Sequence, residues 1–169
     1  TLTLSQSCAA TPGQPNKLPF VIPVALGLLD AQGKALPLQL DGEATAGSTE
    51  RTVVLTEESL TLGFVNVTSQ PVPSLLRGFS APVVLDYDYS DTELLTLLAH
   101  DGDAFNRWEA GQRLMLRIAI NAIADSTITE GANGQIDQNL LPDALVQAMR
   151  AVLRHPQLDA TFKELVLTL

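Results

Sequence analysis

The residues best suited to metal or acid–base chemistry in this 169-residue chain are two histidines and a short run of acids. His100 and His155 are far apart, and neither has a second ligand at the spacing of a zinc site. The sequence has no H-E-x-x-H helix, and its single cysteine, Cys8, cannot supply a thiolate pair. His100 falls near the expected C-terminus of a helix, where a cation favours the helix dipole. The histidines therefore predict no hydrolytic metal centre.

The run Asp101-Gly102-Asp103, followed by Asn106 and Glu109, places oxygen ligands at the first positions of a calcium loop. The pattern fails because Asn106 occupies the sixth position, where glycine is required, and Gln112 occupies the twelfth, where glutamate is required. We interpret the run as a helix break, with Asp103 as the N-cap of the next helix.

Arg107, Trp108 and Glu109 form the most suggestive polar and aromatic group, because stacking and recognition sites use such residues. A structural interpretation is favoured, in which Trp108 and Phe105 are largely buried and Glu109 pairs with Arg113 one helical turn later. The sequence also lacks a glycine-rich phosphate loop and a serine-nucleophile motif. We therefore assign no catalytic, cofactor-binding or metal-binding residue to this chain.

Residues 1–89 carry the two-residue period of β-strands. In LPFVIPVALGLLD, large apolar residues from Phe20 to Leu28 alternate with a second face of proline, alanine and glycine, and Asp30 to Lys34 form a hairpin connection around Gly33. About seven short strands are predicted, in TLTLSQS, LPFVIPVALGLLD, KALPLQLDG, RTVVLT, SLTLGFVNV, PSLLRGFS and APVVLDYDY. This spacing is typical of an all-β sandwich of immunoglobulin or fibronectin III type.

Residues 90–169 change to the helical period. Ser90 and Glu93 form a capping box that begins a helix ending near His100. The next helix has two apolar stripes, so we expect it to be buried on two sides. The first stripe consists of Phe105, Trp108, Gly111, Met115, Ile118 and Ala122, and the second of Leu116, Ile120 and Ile123.

The remaining sequence predicts a polar loop at residues 126–137 and two further helices, the first from Pro142 to Arg154 and the second from Leu158 to Leu167. Helices joined by short breaks suggest the start of a helical-repeat array, since a few helices seldom bury their faces alone. The predicted organisation is a β-sandwich spacer domain at 1–89, joined with almost no linker to the first helices of a helical domain at 90–169, and we expect the two to move as one body.

Composition excludes several classes of partner. The net charge of −9 arises from acids spread over both halves of the chain, which disfavours nucleic-acid binding. No apolar run approaches the roughly 18 residues of a membrane span, so we expect no membrane association. A single cysteine suits a reducing, cytoplasmic location. The chain begins within an alternating strand pattern and stops within an apolar helical pattern, so we expect a piece of a longer protein.

Several stretches resemble the bacterial aminopeptidase N family, the alanyl aminopeptidases among the gluzincin zinc metallopeptidases. The most specific is PVPSLLRGFSAPVVLDYDYSDTELLTLLAHDGDAFNRWEAGQ, from Pro71 to Gln112; the opening strand–loop–strand with its D-x-x-G-K turn, the helix LPDALVQAMRAVL and the terminal KELVLTL are also similar. The resemblance implies a β-saddle domain, a thermolysin-like catalytic domain, a small β-sandwich and a helical C-terminal domain. This chain would supply the third domain and the start of the fourth.

The resemblance implies that the family's zinc ligands, glutamate base and Gly-Ala-Met-Glu-Asn substrate anchor lie upstream, and none of these motifs matches here. It predicts no cofactor in this chain and zinc in the parent protein. The implied partners are the parent's catalytic and helical domains and its peptide substrates, in a monomer. The favoured hypothesis is a non-catalytic segment that spaces and positions the helical domain over the active site. The alternative is an independent fibronectin-like protein-binding module with no enzymatic parent.

Overall fold

A computed structural model describes residues 1–124 and 141–168 of the chain. The chain divides into two compact units, Thr1–Leu85 and Asp86–Leu169, and each is described by itself. The boundary predicted after residue 89 lies a few residues beyond this division. The polar loop predicted at 126–137 lies outside the described residues.

The first unit contains two small antiparallel sheets. The strands among the described residues are β1 Leu2–Ser5, β2 Ile22–Leu29, β3 Glu50–Leu55, β4 Ser59–Leu62 and β5 Val72–Leu75. One sheet pairs β1 with β4, and the other has the order β3-β2-β5. Two antiparallel sheets around a leucine-rich core agree with the predicted sandwich class.

Strand β2 is the central strand of the larger sheet, and its residues from Val24 to Leu29 are all buried. The register places Leu26 opposite both Arg51 of β3 and Leu75 of β5, and Leu26 has no exposed surface. A strand covered on both faces needs apolar or small residues at every position, as the sequence IPVALGLL provides.

Arg77 covers the small-residue face of β2. A Cβ atom at Gly27 would lie 3.0 Å from Nη1 of Arg77 and 3.1 Å from the Thr49 carbonyl oxygen, so a larger residue would have to displace both. Arg77 donates from Nε to Oε2 of Glu50 at 2.7 Å and from Nη1 to Oγ of Ser74 at 3.1 Å. The missing side chain at Gly27 thus makes room for a hydrogen-bonded arginine.

The hairpin connection after β2 is confirmed. Asp30 Oδ1 accepts from the backbone N–H groups of Gln32 and Lys34, both at 2.9 Å. Gly33 has a φ of +80° and donates its N–H to the Asp30 carbonyl oxygen at 2.9 Å. The turn therefore needs the left-handed conformation that glycine adopts without strain.

The strand predicted in KALPLQLDG is wrong. This segment makes only isolated bridges, one between Leu29 and Ala35 and one between Leu40 and Phe64. Between them lies Pro37, which has no N–H to donate to a ladder. The start of the segment therefore bonds near the end of β2 and its end bonds to Phe64, so it forms no continuous ladder with either. An alternating sequence pattern does not show which partner a segment will have.

The last two predicted strands are also incorrect in extent. Strand β5 covers only part of PSLLRGFS, because the chain turns left-handed at Leu76 and enters a 3₁₀ turn at Arg77–Phe79. APVVLDYDY contains no strand. Its N–H groups make local bonds, such as Val83 to the Ala81 carbonyl at 2.9 Å. Local turns and the missing N–H of Pro82 replace the ladder that the alternation suggested.

The second unit is helical over its described residues, with α1 Asp91–His100, α2 Ala104–Ala124, α3 Asp143–Arg154 and α4 Ala160–Leu167. The predicted capping box is confirmed, since Ser90 Oγ accepts from the Glu93 N–H at 3.3 Å and Glu93 Oε2 accepts from the Ser90 N–H at 2.8 Å. The predicted helix ends at His100, Arg154 and Leu167 are confirmed as well.

Gly111 of α2 lies where the other three helices converge. A Cβ atom there would lie 3.3 Å from Leu98 of α1, 3.9 Å from Val166 of α4 and 4.0 Å from Met149 of α3. Leu98 and Val166 have no exposed surface. The absence of a side chain at Gly111 therefore lets the helices pack closely at the centre of this unit.

Among the residues that the structure describes, the prediction that α2 is buried on two sides is not met. The buried residues of α2 are Asn106, Arg107, Ala110, Gly111, Leu114 and Ala122. Leu116, Ile120 and Ile123, the second predicted stripe, are 56%, 56% and 69% exposed. The sequence pattern identified an apolar face, but no described residue of this chain covers it.

Candidate functional site: an arginine-held strap before the first helix

The histidines and acids that drew attention in the sequence serve the ends of helices. His100 is exposed in the last turn of α1. His155 follows α3, and its Nδ1 accepts from the Gln157 N–H at 3.2 Å. Asp103 Oδ1 accepts from the Asn106 N–H at 2.9 Å, which confirms the predicted N-cap of α2. The Asp103 and His155 side chains accept from backbone N–H groups, and among the described residues no three such side chains could hold a metal ion.

Trp108 and Phe105 are in contact with each other, with ring centroids 5.8 Å apart and tilted by 42°. Both are mostly, though not fully, buried, which agrees with the prediction. The buried face of α2 lies one position away and carries Arg107 in place of Trp108. An arginine stem can occupy such a face when its guanidinium finds acceptors, which the hydrophobic pattern did not take into account.

Arg107 is 3% exposed and fastens the turn between α1 and α2. Its Nε and Nη2 donate to the Asp101 carbonyl oxygen at 3.0 and 2.6 Å, and its Nη1 donates to the Ala99 carbonyl oxygen at 3.2 Å. Burial lowers the pKa of Arg107, and the nearby Asp101 charge opposes that shift. Three charge-assisted hydrogen bonds to backbone carbonyls thus close the C-terminus of α1.

Two further arginines of α2 hold the segment that leads into α1, which we call the strap (residues 86–91). Arg113 Nη1 donates to the Tyr87 carbonyl oxygen at 3.4 Å, and Arg117 Nη2 donates to the Tyr89 carbonyl oxygen at 3.1 Å. Arg117 Nη1 also pairs with Oδ1 of Asp91 at 2.6 Å. Because the two arginines are one helical turn apart, they lie on the same side of α2 and reach successive parts of the strap.

The aromatic rings of the strap complete this arrangement. Tyr87 and Tyr89 have ring centroids 4.4 Å apart, and the Arg113 guanidinium lies 5.9 Å from the Tyr89 ring centroid. The predicted pair between Glu109 and Arg113 is confirmed, with an N–O distance of 2.8 Å. Glu109 thereby holds the guanidinium beside Tyr89, where a cation on an aromatic face is favourable.

Burial raises the pKa of Tyr89 above the ordinary range of a phenol, and burial together with the Glu93 charge raises that of Tyr87. Below pH about 10, the unperturbed value, the phenols are neutral in both folded and unfolded chains. Above it the unfolded chain releases protons that the folded chain retains. These tyrosines therefore stabilise the fold up to that pH, and their contribution is lost as the pH rises through the folded pKa.

We expect an alkaline titration of tyrosinate absorbance to show a late transition for Tyr89 that coincides with unfolding of the helical unit. Tyr87 and Tyr89 are the only tyrosines, so each step can be assigned. The variant Tyr89→Phe should remove the late step, and Tyr87→Phe should leave it. Ionisation of both phenols near pH 10 while the chain remains folded would contradict the burial of Tyr89.

Comparison with known proteins identifies the two units. Residues 1–88 match the family model of a domain of unknown function, DUF3458, described as an Ig-like fold, and residues 91–169 match DUF3458_C, described as ARM repeats. The chain belongs to the DUF3458 family. The immunoglobulin-like and helical-repeat classes predicted from the sequence are thereby confirmed.

The relatives of this DUF3458 chain are aminopeptidases. It is 40% identical to Aminopeptidase N of Escherichia coli over 100% of its own length and 18% of that protein, and 34% identical to Aminopeptidase N of Haemophilus influenzae over 99% and 18%. A solved structure, Legionella pneumophila aminopeptidase A in complex with aspartic acid, matches with a TM-score of 0.64 and 29% identity over 88% of this chain and 15% of that one. The resemblance to a region of aminopeptidase N is confirmed.

The zinc implied by the family resemblance does not fit the residues described here. A hydrolytic zinc needs three protein ligands and an open position. Within residues 1–124 and 141–168, no group of three histidine, cysteine, aspartate or glutamate side chains could hold a metal ion. No zinc chemistry is therefore assigned to this chain.

In the same ranges no helix is both long and apolar enough to cross a membrane.

Sequence reasoning missed the roles of Arg107, Arg113 and Arg117. Arg107 lies three, four and seven residues before Ala110, Gly111 and Leu114, so the pattern of small and apolar residues on its side of the helix was an available signal. Arg117 had no such signal, because its partners lie in the strap, far away in sequence.

Proposed function

We propose that this chain is a non-catalytic region of a larger zinc-dependent aminopeptidase, which removes N-terminal amino acids from peptides. The observation that carries the proposal is the match of both units, over the whole chain, to one continuous region of the aminopeptidase N proteins. The chain spans 18% of the length of these relatives. Zinc, the activated water and the peptide site would then belong to other parts of the parent protein.

The role proposed for this region is to space and position the helical domain over the active site of the parent. The strap supports this role, because Arg113 and Arg117 attach three of its residues to α2. A connection attached at several points can transmit position, whereas a flexible linker cannot. We also propose that the parent is a monomer in the cytoplasm, consistent with the exposed free thiol of Cys8.

The positioning role is tested in the longer protein with the double variant Arg113→Ala/Arg117→Ala. The strap should become susceptible to chymotrypsin after Tyr87 or Tyr89. Turnover of an aminoacyl anilide should fall by roughly 10- to 100-fold, the size expected when distant changes misplace reacting groups. Zinc content should stay unchanged, because neither arginine belongs to a metal site.

The matched control is Arg150→Ala/Arg154→Ala, which removes the same two charges from exposed positions of α3. It should leave both the strap and turnover unchanged. If the double variant opens the strap but retains full turnover, the positioning role is wrong, although the family relationship would remain.

A further inference from the structure

The C-terminal half of α2 presents an apolar line that no described residue covers. Leu116, Ile120 and Ile123, which we call the α2 stripe, are all more than half exposed. Their spacing of four and three places them on one side of the helix, along roughly 10 Å of its axis. These three large aliphatic side chains are neighbours in one line, unlike the single exposed apolar residues that are normal on a protein surface.

The chemistry around the α2 stripe favours an apolar helical partner. Residues 118–124, with the sequence IAINAIA, carry no charge although the whole chain has a net charge of −9. The charged residues that flank this segment in sequence are Arg117 and Asp125, and Arg117 reaches Asp91 and the Tyr89 carbonyl in the strap. Ala119 and Ala124 are small enough to let another backbone approach within the 8–10 Å typical of packed helices.

We propose that the α2 stripe is covered by a further helix of the same polypeptide, from the helical array of the parent protein. This inference rests on the proposed function. Repeat proteins bury an apolar face by stacking the next repeat on it, and their terminal repeats need polar outer faces to remain soluble. The helical unit belongs to an ARM-repeat family, and most of each matching aminopeptidase lies outside the region that this chain spans.

The identity of the occupant follows from these observations together. A surface without charge offers nothing to an acidic or basic partner, so recognition must depend on shape and apolar burial. Full burial of each aliphatic side chain would contribute about 1.5–3 kcal/mol. A helix covalently attached to the same chain reaches the stripe at high effective concentration, so it needs no strong independent affinity.

The test compares cysteine labelling in the 169-residue chain and in the longer protein, both with Cys8→Ser. The probe is a maleimide, and the labelled peptide is identified by mass. The variants are Ile120→Cys and Ile123→Cys on the stripe, with Arg150→Cys on the exposed side of α3 as the control. Using two stripe positions keeps the test valid if one substitution impairs folding.

Both stripe cysteines should react readily in the 169-residue chain and at least about tenfold more slowly in the longer protein, because labelling there requires local opening. The control should react at the same rate in both. Equal rates at the stripe would overturn the proposal, as would protection in the 169-residue chain that increases with its concentration, which would identify a second copy as the occupant. Peptidase activity of the longer protein is assayed separately, so loss of the proposed function can be distinguished from loss of this contact.

Discussion

Replacing Arg107 with alanine is expected to lower the free energy of unfolding of the helical unit by about 3–5 kcal/mol, the range for removing one partner from a buried charged arrangement. The guanidinium is 3% exposed and donates three hydrogen bonds to the carbonyl oxygens of Ala99 and Asp101. Its removal takes these three donors away from the carbonyls and removes a positive charge from the neighbourhood of the Asp101 carboxylate. Replacing an exposed arginine with alanine should cause no such loss of stability.

Urea unfolding followed by tryptophan fluorescence measures this effect, because Trp108 is the only tryptophan and lies in the helical unit. The control Arg150→Ala should change stability by no more than about 0.5 kcal/mol, as is usual at exposed positions. Arg107→Lys should recover only part of the loss, since an ammonium cannot reproduce the planar fork. An Arg107→Ala variant as stable as the control would show that the three hydrogen bonds of Arg107 contribute nothing to stability.

The second large effect concerns the centre of the helical unit. Leu98→Ala is expected to cost about 2–5 kcal/mol, because Leu98 is fully buried and the change leaves a cavity. Gly111→Ala alone should change stability little. Its new Cβ would lie 3.3 Å from Cδ1 of Leu98, and this tight contact offsets the roughly 1 kcal/mol that alanine gains over glycine in a helix.

The double variant Leu98→Ala/Gly111→Ala distinguishes this packing from two independent effects. Once Leu98 is truncated, the alanine at position 111 no longer meets Cδ1 and partly fills the cavity. The double variant should therefore be more stable than the sum of the single changes predicts, by a coupling of about 0.5–1.5 kcal/mol, as expected for side chains in contact. Strict additivity would contradict the packing around Gly111.

The predictions that succeeded depend on local chemistry. The capping box at Ser90 and Glu93 and the hairpin at Asp30 join residues at most four apart, so the sequence itself contains both partners. Pro142 and Pro156 likewise mark the start and the end of α3 by removing N–H groups.

The predictions that failed depend on contacts between distant residues. The alternating sequences around Pro37 and Val83 resembled strands. A strand forms only where a neighbouring strand accepts and donates a continuous series of backbone hydrogen bonds. The segment around Pro37 bonds to different partners along its length, and the segment around Val83 bonds to residues close in sequence. No structural role was predicted for Arg107, because the carbonyls that accept its hydrogen bonds cannot be identified from composition. The strap was not foreseen, since Arg117 and Tyr89 meet only after α1 and α2 pack together.

The central proposal is that this chain is part of a longer aminopeptidase and supplies none of its catalytic groups. Zinc content and aminoacyl-anilide turnover, measured side by side on the 169-residue chain and on the longer protein, test it most directly. The account predicts neither stoichiometric zinc nor turnover in the chain, and both in the longer protein, with turnover abolished by a chelator and restored by zinc. Chelator-sensitive turnover by the purified chain, or a longer protein with neither zinc nor peptidase activity, would contradict it.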